Sequence, residues 1–246
     1  VAIDLAEAYE QTQANVGALV RDLPSDELSI VVPASPDWTV RDVVAHVTGI
    51  AADLGQGRIP LELDLVRSLA DETLAAQRES MTARQVEERR SRAIGEVFDE
   101  WSGYLPTLLA MIRGDRPFPA PVPFADVIIV SDLAVHAQDI RGALRRPGDR
   151  ESAAVSVALL SYLTAFGFKL REAGLPAVRF VYDGKERVAG DGEPAATVTA
   201  PRYEVFRMLA GRRSRAQILA MDWQGAPSAF VALIPAYGER LDDVVE

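Results

Sequence analysis

The chain contains no cysteine in 246 residues. Disulfides, thiolate metal ligands and a cysteine nucleophile are thereby excluded, and any sulfur chemistry must use sulfur that arrives on a bound molecule. Histidine is nearly as scarce, with two, His46 and His136. No Gly-x-Ser-x-Gly elbow, dinucleotide-binding glycine fingerprint or phosphate loop occurs, which removes the serine hydrolase and the common nucleotide-binding readings. The first residues lack a basic segment followed by an apolar run, and no apolar stretch reads as the ~20 residues of a bilayer span. Neither a signal peptide nor a membrane anchor is expected. Basic residues are also in short supply: 26 Lys and Arg against 36 Asp and Glu leave a net charge of −10, which argues against nucleic acid and anionic membranes as partners. The expectation is a cytoplasmic protein that meets small molecules.

What is present is enough apolar material, 48%, for a real core in one large or two modest domains. Leu5, Tyr9, Thr12, Val16, Leu19, Val20 and Leu23 follow helical spacing and predict a first helix stopped by Pro24. A loop with Pro33 and Pro36 follows. It ends at Trp38-Thr39-Val40-Arg41-Asp42, where Thr39 can cap a second helix, Asp42 can return the bond and Trp38 can staple onto Val43. From Leu61 to Arg113 the composition predicts one or two helices broken near Ser80 to Thr82, and the prolines at 117, 119, 121 and 123 then fix a loop. Another helix spans Phe124 to Leu144. Arg145-Arg146-Pro147-Gly148 reads as a boundary. Beyond it, a helix over Ala153 to Ala173 leads to short strands at Val178 to Tyr182, Arg187 to Ala189 and Ala196 to Ala200, with Asp183-Gly184 and Asp191-Gly192 as turns. Helices from Pro201 to Leu209 and Ser214 to Met221 complete a mixed second half.

Asp132 and His136 are four residues apart and therefore share one face of their helix. Together they interrupt the apolar stripe of Ile129, Leu133, Ile140 and Ala143. A buried carboxylate without a partner costs several kcal/mol, and a cation, or a protonated His136, would offset that cost. His46 can add a third ligand from another helix, and three protein ligands with one open position is the pattern of a catalytic rather than a structural zinc. Asp42 precedes His46 by four residues and Asp139 follows His136 by three, so either carboxylate can orient an imidazole through its other ring nitrogen. Asp42 can equally serve only as a cap, and Asp139 only as a partner for Arg141 or Arg145. Arg212, Arg213 and Arg215 lie just after a helix stop and form a candidate site for a carboxylate or another anionic group, with a solvated basic turn as the alternative. Trp38, Trp101 and Trp223 are more often core anchors than ligand platforms, and sequence alone assigns them no role.

Trp38 to Val47 (WTVRDVVAHV) and Asp132 to Leu144 (DLAVHAQDIRGAL) resemble the two signatures of the mycothiol-dependent maleylpyruvate isomerase family. The resemblance implies a two-domain α+β fold: a DinB-like four-helix bundle over residues 1–148 and a small α+β domain similar to sterol-carrier domains over 149–246, where Arg202 to Trp223 carries the weaker likeness. It also implies that His46, Asp132 and His136 bind a divalent metal, usually zinc. The isomerase has glutamate where this chain has Asp132. Mycothiol is the implied cosubstrate, its thiol deprotonated on the metal for cis–trans isomerisation of, or transfer to, a small electrophilic substrate. Two rivals are a non-catalytic small-molecule binding protein of the same fold and a metal-dependent hydrolase that activates water.

Overall fold

Asp4 opens the first helix, α1 (Leu5–Val20), by accepting from the backbone N–H groups of Ala6 and Glu7 at 2.9 and 3.0 Å, satisfying donors that the first turn cannot pair internally. The computed structural model describes residues 3–59, 72–236 and 238–246. They divide into two compact units after Ala154.

The first unit is helical. The face of α1 that carries Tyr9, Thr12, Val16 and Val20 is buried, as its spacing predicts. After a short helix α2 (Ser25–Leu28), β1 (Val31–Val32) and β2 (Ser35–Thr39) pair antiparallel. The sequence predicts a loop here because of Pro33 and Pro36. Pro36 is tolerated because a two-stranded ladder consists only of edge strands, where a missing N–H need not break a ladder bond.

Helix α3 (Val40–Gln56) starts where the capping signal places it. The Asp42 N–H donates to Thr39 Oγ1 at 3.3 Å, and the Thr39 N–H donates to Asp42 Oδ2 at 2.9 Å, a reciprocal capping box. Helix α4 (Glu72–Glu87) runs through the break expected near Ser80 to Thr82, because the Thr82 hydroxyl bonds back to the Arg78 carbonyl at 2.9 Å and stays within the helix. The chain turns instead at residues 88–93, where Arg89 and Arg92 both pair with Glu100. The expectation over residues 61–71 lies outside the described residues.

Helices α5 (Ile94–Ile112) and α6 (Ala125–Ala143) complete the bundle. α1 packs on α5 and α6, α3 packs on the same two, and α4 lies along α3. α1 and α5 approach so closely that a Cβ at Gly17 would lie 2.2 Å from the Phe98 ring. The same contact buries Trp101 completely, its indole N–H donating to the Tyr9 hydroxyl at 3.1 Å. α6 is buried on nearly every side between Ile129 and Ile140, the mark of a central helix.

The second unit is a four-stranded sheet, order β4-β3-β5-β6, covered by helices. β3 (Val178–Tyr182) and β4 (Lys185–Ala189) form a hairpin whose central residues, Asp183 and Gly184, have φ of 50° and 67°, the conformation that the Asp-Gly signal predicts. β5 (Ala196–Thr199) runs parallel to β3, and β6 (Asp222–Gly225) antiparallel to β5. Helices α8 (Arg202–Leu209), α9 (Arg215–Leu219) and α10 (Ser228–Val231) complete this unit.

α7 (Ala153–Glu172) is, against expectation, long and apolar enough to cross a membrane by length and composition. Half of that window is buried inside the protein. There Phe166 meets the sheet residue Phe180 edge to face with ring centroids 5.8 Å apart, so the apolarity of this helix serves the core of the second unit. Lys169 on α7 donates to the carbonyls of Leu233, Pro235 and Ala236 at 2.9 to 3.3 Å, tying down the chain after α10.

The Thr39 hydroxyl supplies one half of the cap on α3, so Thr39→Ala is expected to cost about 1 kcal/mol. A urea denaturation series should show a lower midpoint at unchanged slope.

Candidate metal centre

The side chains of His46, Asp132 and His136 converge, each offering one ligand atom, with these atoms all within 4.8 Å of one another. The sites on the chain are far apart, and the bundle joins them: α3 carries His46, α6 carries the other two, and the two helices pack together. One turn of α6 separates Asp132 from His136, leaving Asp132 Oδ1 3.6 Å from His136 Nε2. A tetrahedral ion about 2.1 Å from each ligand needs ligand atoms about 3.4 Å apart, so this pair is already close to the required spacing.

The second nitrogen of each imidazole is backed from behind. His46 Nδ1 lies 2.9 Å from Gln85 Oε1 on α4. His136 Nδ1 lies 3.2 Å from Asp139 Oδ2, an ion-pair distance without hydrogen-bond alignment. With both Nδ1 atoms so placed, Nε2 is the nitrogen that each ring leaves for the shared point. Asp139 therefore stands behind His136. Asp42 does not stand behind His46: its Oδ2 accepts from both the N–H and the hydroxyl of Thr39, and Gln85 holds the position that the spacing had offered to Asp42. The sequence gives little sign of Gln85, because α4 is a polar helix without a clear apolar stripe. Asp53 was legible in principle. It lies seven residues, two turns, after His46 on α3 and is completely buried, and its carboxylate accepts from Gln85 Nε2 at 2.7 Å.

Trp38, to which the sequence assigned no role, stands beside both imidazoles. Its ring is 4.9 Å from that of His46 and 6.0 Å from that of His136, and the two imidazoles are 5.0 Å apart. β2 ends at the residue that caps α3, which holds the indole over the first two turns of that helix as an apolar wall. Trp101 is a core anchor as expected, and Trp223 donates to the Ile218 carbonyl at 2.8 Å. The site opens at Asp132, whose side chain is 28% exposed against 9% for that of His136.

Tyr9 faces the same interior from α1. Burial pushes its phenol well above the usual range, the Trp101 hydrogen bond pulls the other way, and the charge of Asp132 adds to the rise. Its hydroxyl is therefore neutral.

The arginines of the second unit have internal partners. Arg213 grips Glu204 through Nε and Nη2 at 2.6 and 2.9 Å, buried Arg212 donates to the Ala210 carbonyl at 2.9 Å, and Arg215 pairs with Glu239. Arg213 and Glu204 also line an open hollow with Gln217 and Asp222. The expected anion site is thus occupied by the protein's own carboxylate and carbonyl groups.

A profile of the mycothiol maleylpyruvate isomerase N-terminal domain matches residues 9–141, more than half of the chain. The chain belongs to that family. Solved structures of the mycothiol-dependent maleylpyruvate isomerase and of a histidine-to-alanine variant of it have the same fold, with TM-scores of 0.51 and 0.57. Each is 11% identical and aligns over 86% of this chain and 90% of its own. No curated protein matches. This member of the isomerase family keeps a His, Asp, His cluster able to coordinate a metal.

The donor set fits a divalent cation. With both imidazoles neutral, as metal binding requires, two ring nitrogens and one carboxylate oxygen converge on one point. Burial first, and repulsion from His136 second, push His46 from its usual 6.5 down to about 4, against the pull of Asp132, Gln85 and Asp53. The unfolded chain therefore takes up this proton near pH 6.5 and the folded chain near pH 4. Stability from this group is full above the first value and is lost as pH falls through the second, at up to about 1.4 kcal/mol per pH unit. Urea unfolding of metal-free protein across this window should show a steeper acid loss in wild type than in His46→Gln. Equal slopes would mean that His46 does not carry the effect.

Proposed function

We propose that the protein is a metal-dependent enzyme that uses a low-molecular-weight thiol, mycothiol, as cosubstrate and catalyses cis–trans isomerisation of, or thiol transfer to, a small electrophile. The observation that carries this reading is the convergence of His46, Asp132 and His136 in a chain without cysteine. A divalent cation there, most simply zinc, supplies a Lewis acid that lowers the pKa of a coordinated thiol and so provides thiolate at neutral pH. The reaction belongs in the cytoplasm, where such thiols stay reduced.

The chain's own residues divide the remaining work. His46, Asp132 and His136 hold the ion, while Gln85 and Asp139 orient the two imidazoles from behind. Trp38 keeps water from one side of the site, and the exposed edge of Asp132 is the approach for thiol and substrate. Aspartate in place of the family's glutamate shortens this ligand by one methylene.

Purified protein is expected to contain near-stoichiometric zinc by elemental analysis. His136→Ala should weaken zinc binding by more than the about 100-fold that loss of a supporting group brings, and turnover of electrophilic substrates should depend on both zinc and mycothiol. Turnover without any thiol would assign a metal-dependent hydrolase instead. Absence of metal from wild type, even after reconstitution, would leave a buried polar cluster in a binding protein.

A further inference from the structure

Asp53 sits in the first unit with no exposed surface, two turns along α3 from His46, and two arginines pair with it. Arg84 donates to its Oδ2 at 2.7 Å and Arg58 lies 2.9 Å from its Oδ1. A carboxylate held between two guanidiniums offers only lone pairs. Gln85 Nε2 lies 2.7 Å from Asp53 Oδ2, so the amide must turn its NH2 toward Asp53. The opposite orientation would set two oxygens against each other. Gln85 Oε1 is thereby committed to His46 Nδ1, 2.9 Å away, and an oxygen there demands a proton on Nδ1. The tautomer of His46 follows from the charge of a residue two turns along its own helix.

The local sequence makes room for this chain of bonds. His46, Gly49 and Asp53 occur at i, i+3 and i+7 on α3 and share one face. Gln85 lies along that face over Gly49, where a Cβ would come within 2.4 Å of Gln85 Cβ and 2.6 Å of its Cγ. Glycine costs a helix interior about 1 kcal/mol relative to alanine, and here its lack of a side chain lets the amide reach both neighbours. Arg89 fixes Gln85 from the other end by donating to its backbone carbonyl at 2.9 Å while pairing with Glu100.

We infer that Gln85 and Asp53, supported by Arg58 and Arg84 and admitted by Gly49, are positioning residues that hold His46 as the Nδ1–H tautomer and so present Nε2, unprotonated, as a preformed metal ligand. This inference rests on the metal reading above for its purpose, though not for its geometry. It distinguishes the two ligands: His136 is backed by a carboxylate, whereas His46 is backed by a neutral amide whose direction is imposed by a remote charge.

The chain has two histidines, so nitrogen NMR of isotope-labelled imidazoles in metal-free protein yields two ring systems to assign. Wild type is expected to carry the His46 proton on Nδ1. Gln85→Leu should lose that preference and raise the zinc dissociation constant 10- to 100-fold, measured by competition with a chromophoric chelator. Gln85→Glu combined with Asp53→Asn, which retains an acceptor for Nδ1–H and sets an amide rather than a second carboxylate against it, should restore the tautomer. A folded Gln85→Leu protein with the wild-type tautomer and a zinc constant within about twofold of wild type would overturn the inference. If Gln85→Leu does not fold, Gly49→Ala provides the same reading, since it removes no polar group and pushes Gln85 away from α3 at its Cβ and Cγ. A wild-type protein that binds no zinc yet shows the Gln85-dependent tautomer would overturn the metal reading and uphold the relay.

Discussion

Polar groups in the interior of an apolar helical bundle must find partners, and this constraint organises the first unit. A buried ion left unpaired costs several kcal/mol, comparable to the whole stability margin of a domain. Asp53 has no exposed surface, so the arginines that neutralise it, Arg58 and Arg84, are structural necessities. Apolar burial along α3, from Val43, Val44, Val47, Ala51 and Ala52, brings the helices together. The ion pairs then decide where along α3 the helix α4 can rest, because a displaced α4 would leave Asp53 and Gln85 without each other. Non-directional attraction supplies the drive, and directional bonding supplies the register.

The same constraint produces the asymmetry of the candidate centre. On the far side of His46, Arg58 and Arg84 meet the charge of Asp53, whereas at His136 a carboxylate lies near each ring nitrogen, Asp132 at Nε2 and Asp139 at Nδ1. The partly exposed Asp132 and the indole of Trp38 give the candidate centre a wet edge and an apolar wall.

Sequence patterns disclosed the bundle where the signal was local. The capping box at Thr39, the spacing of α1, the proline-fixed loop before α6 and the Asp-Gly hairpin turn each rest on contacts within a few residues. His46, Asp132 and His136 were legible because they break apolar stripes. What the sequence concealed depends on partners far along the chain. Gln85 looks like any polar residue on a polar helix until α4 is laid over Gly49. Trp38 looks like a core aromatic until the hairpin carries it over the imidazoles, and that hairpin was itself hidden by Pro36. The three arginines near residue 213 looked available because Glu204 and Glu239, which engage two of them, are remote in sequence or lie on another element. β6 escaped notice because Asp222 to Gly225 acquires strand character only by pairing with β5.

The ligands and the wall of the centre differ in mechanical support. His136 lies on the most enclosed helix of the bundle, while Trp38 belongs to a ladder of two strands, one only two residues long. An isolated hairpin of this kind has little stability of its own, and elements with few ladder bonds open at a much lower free-energy cost than the core. Fraying of β1 from β2 can therefore uncover one side of the centre while His46, Asp132 and His136 stay in place, which separates the rate of access from the geometry of the cluster.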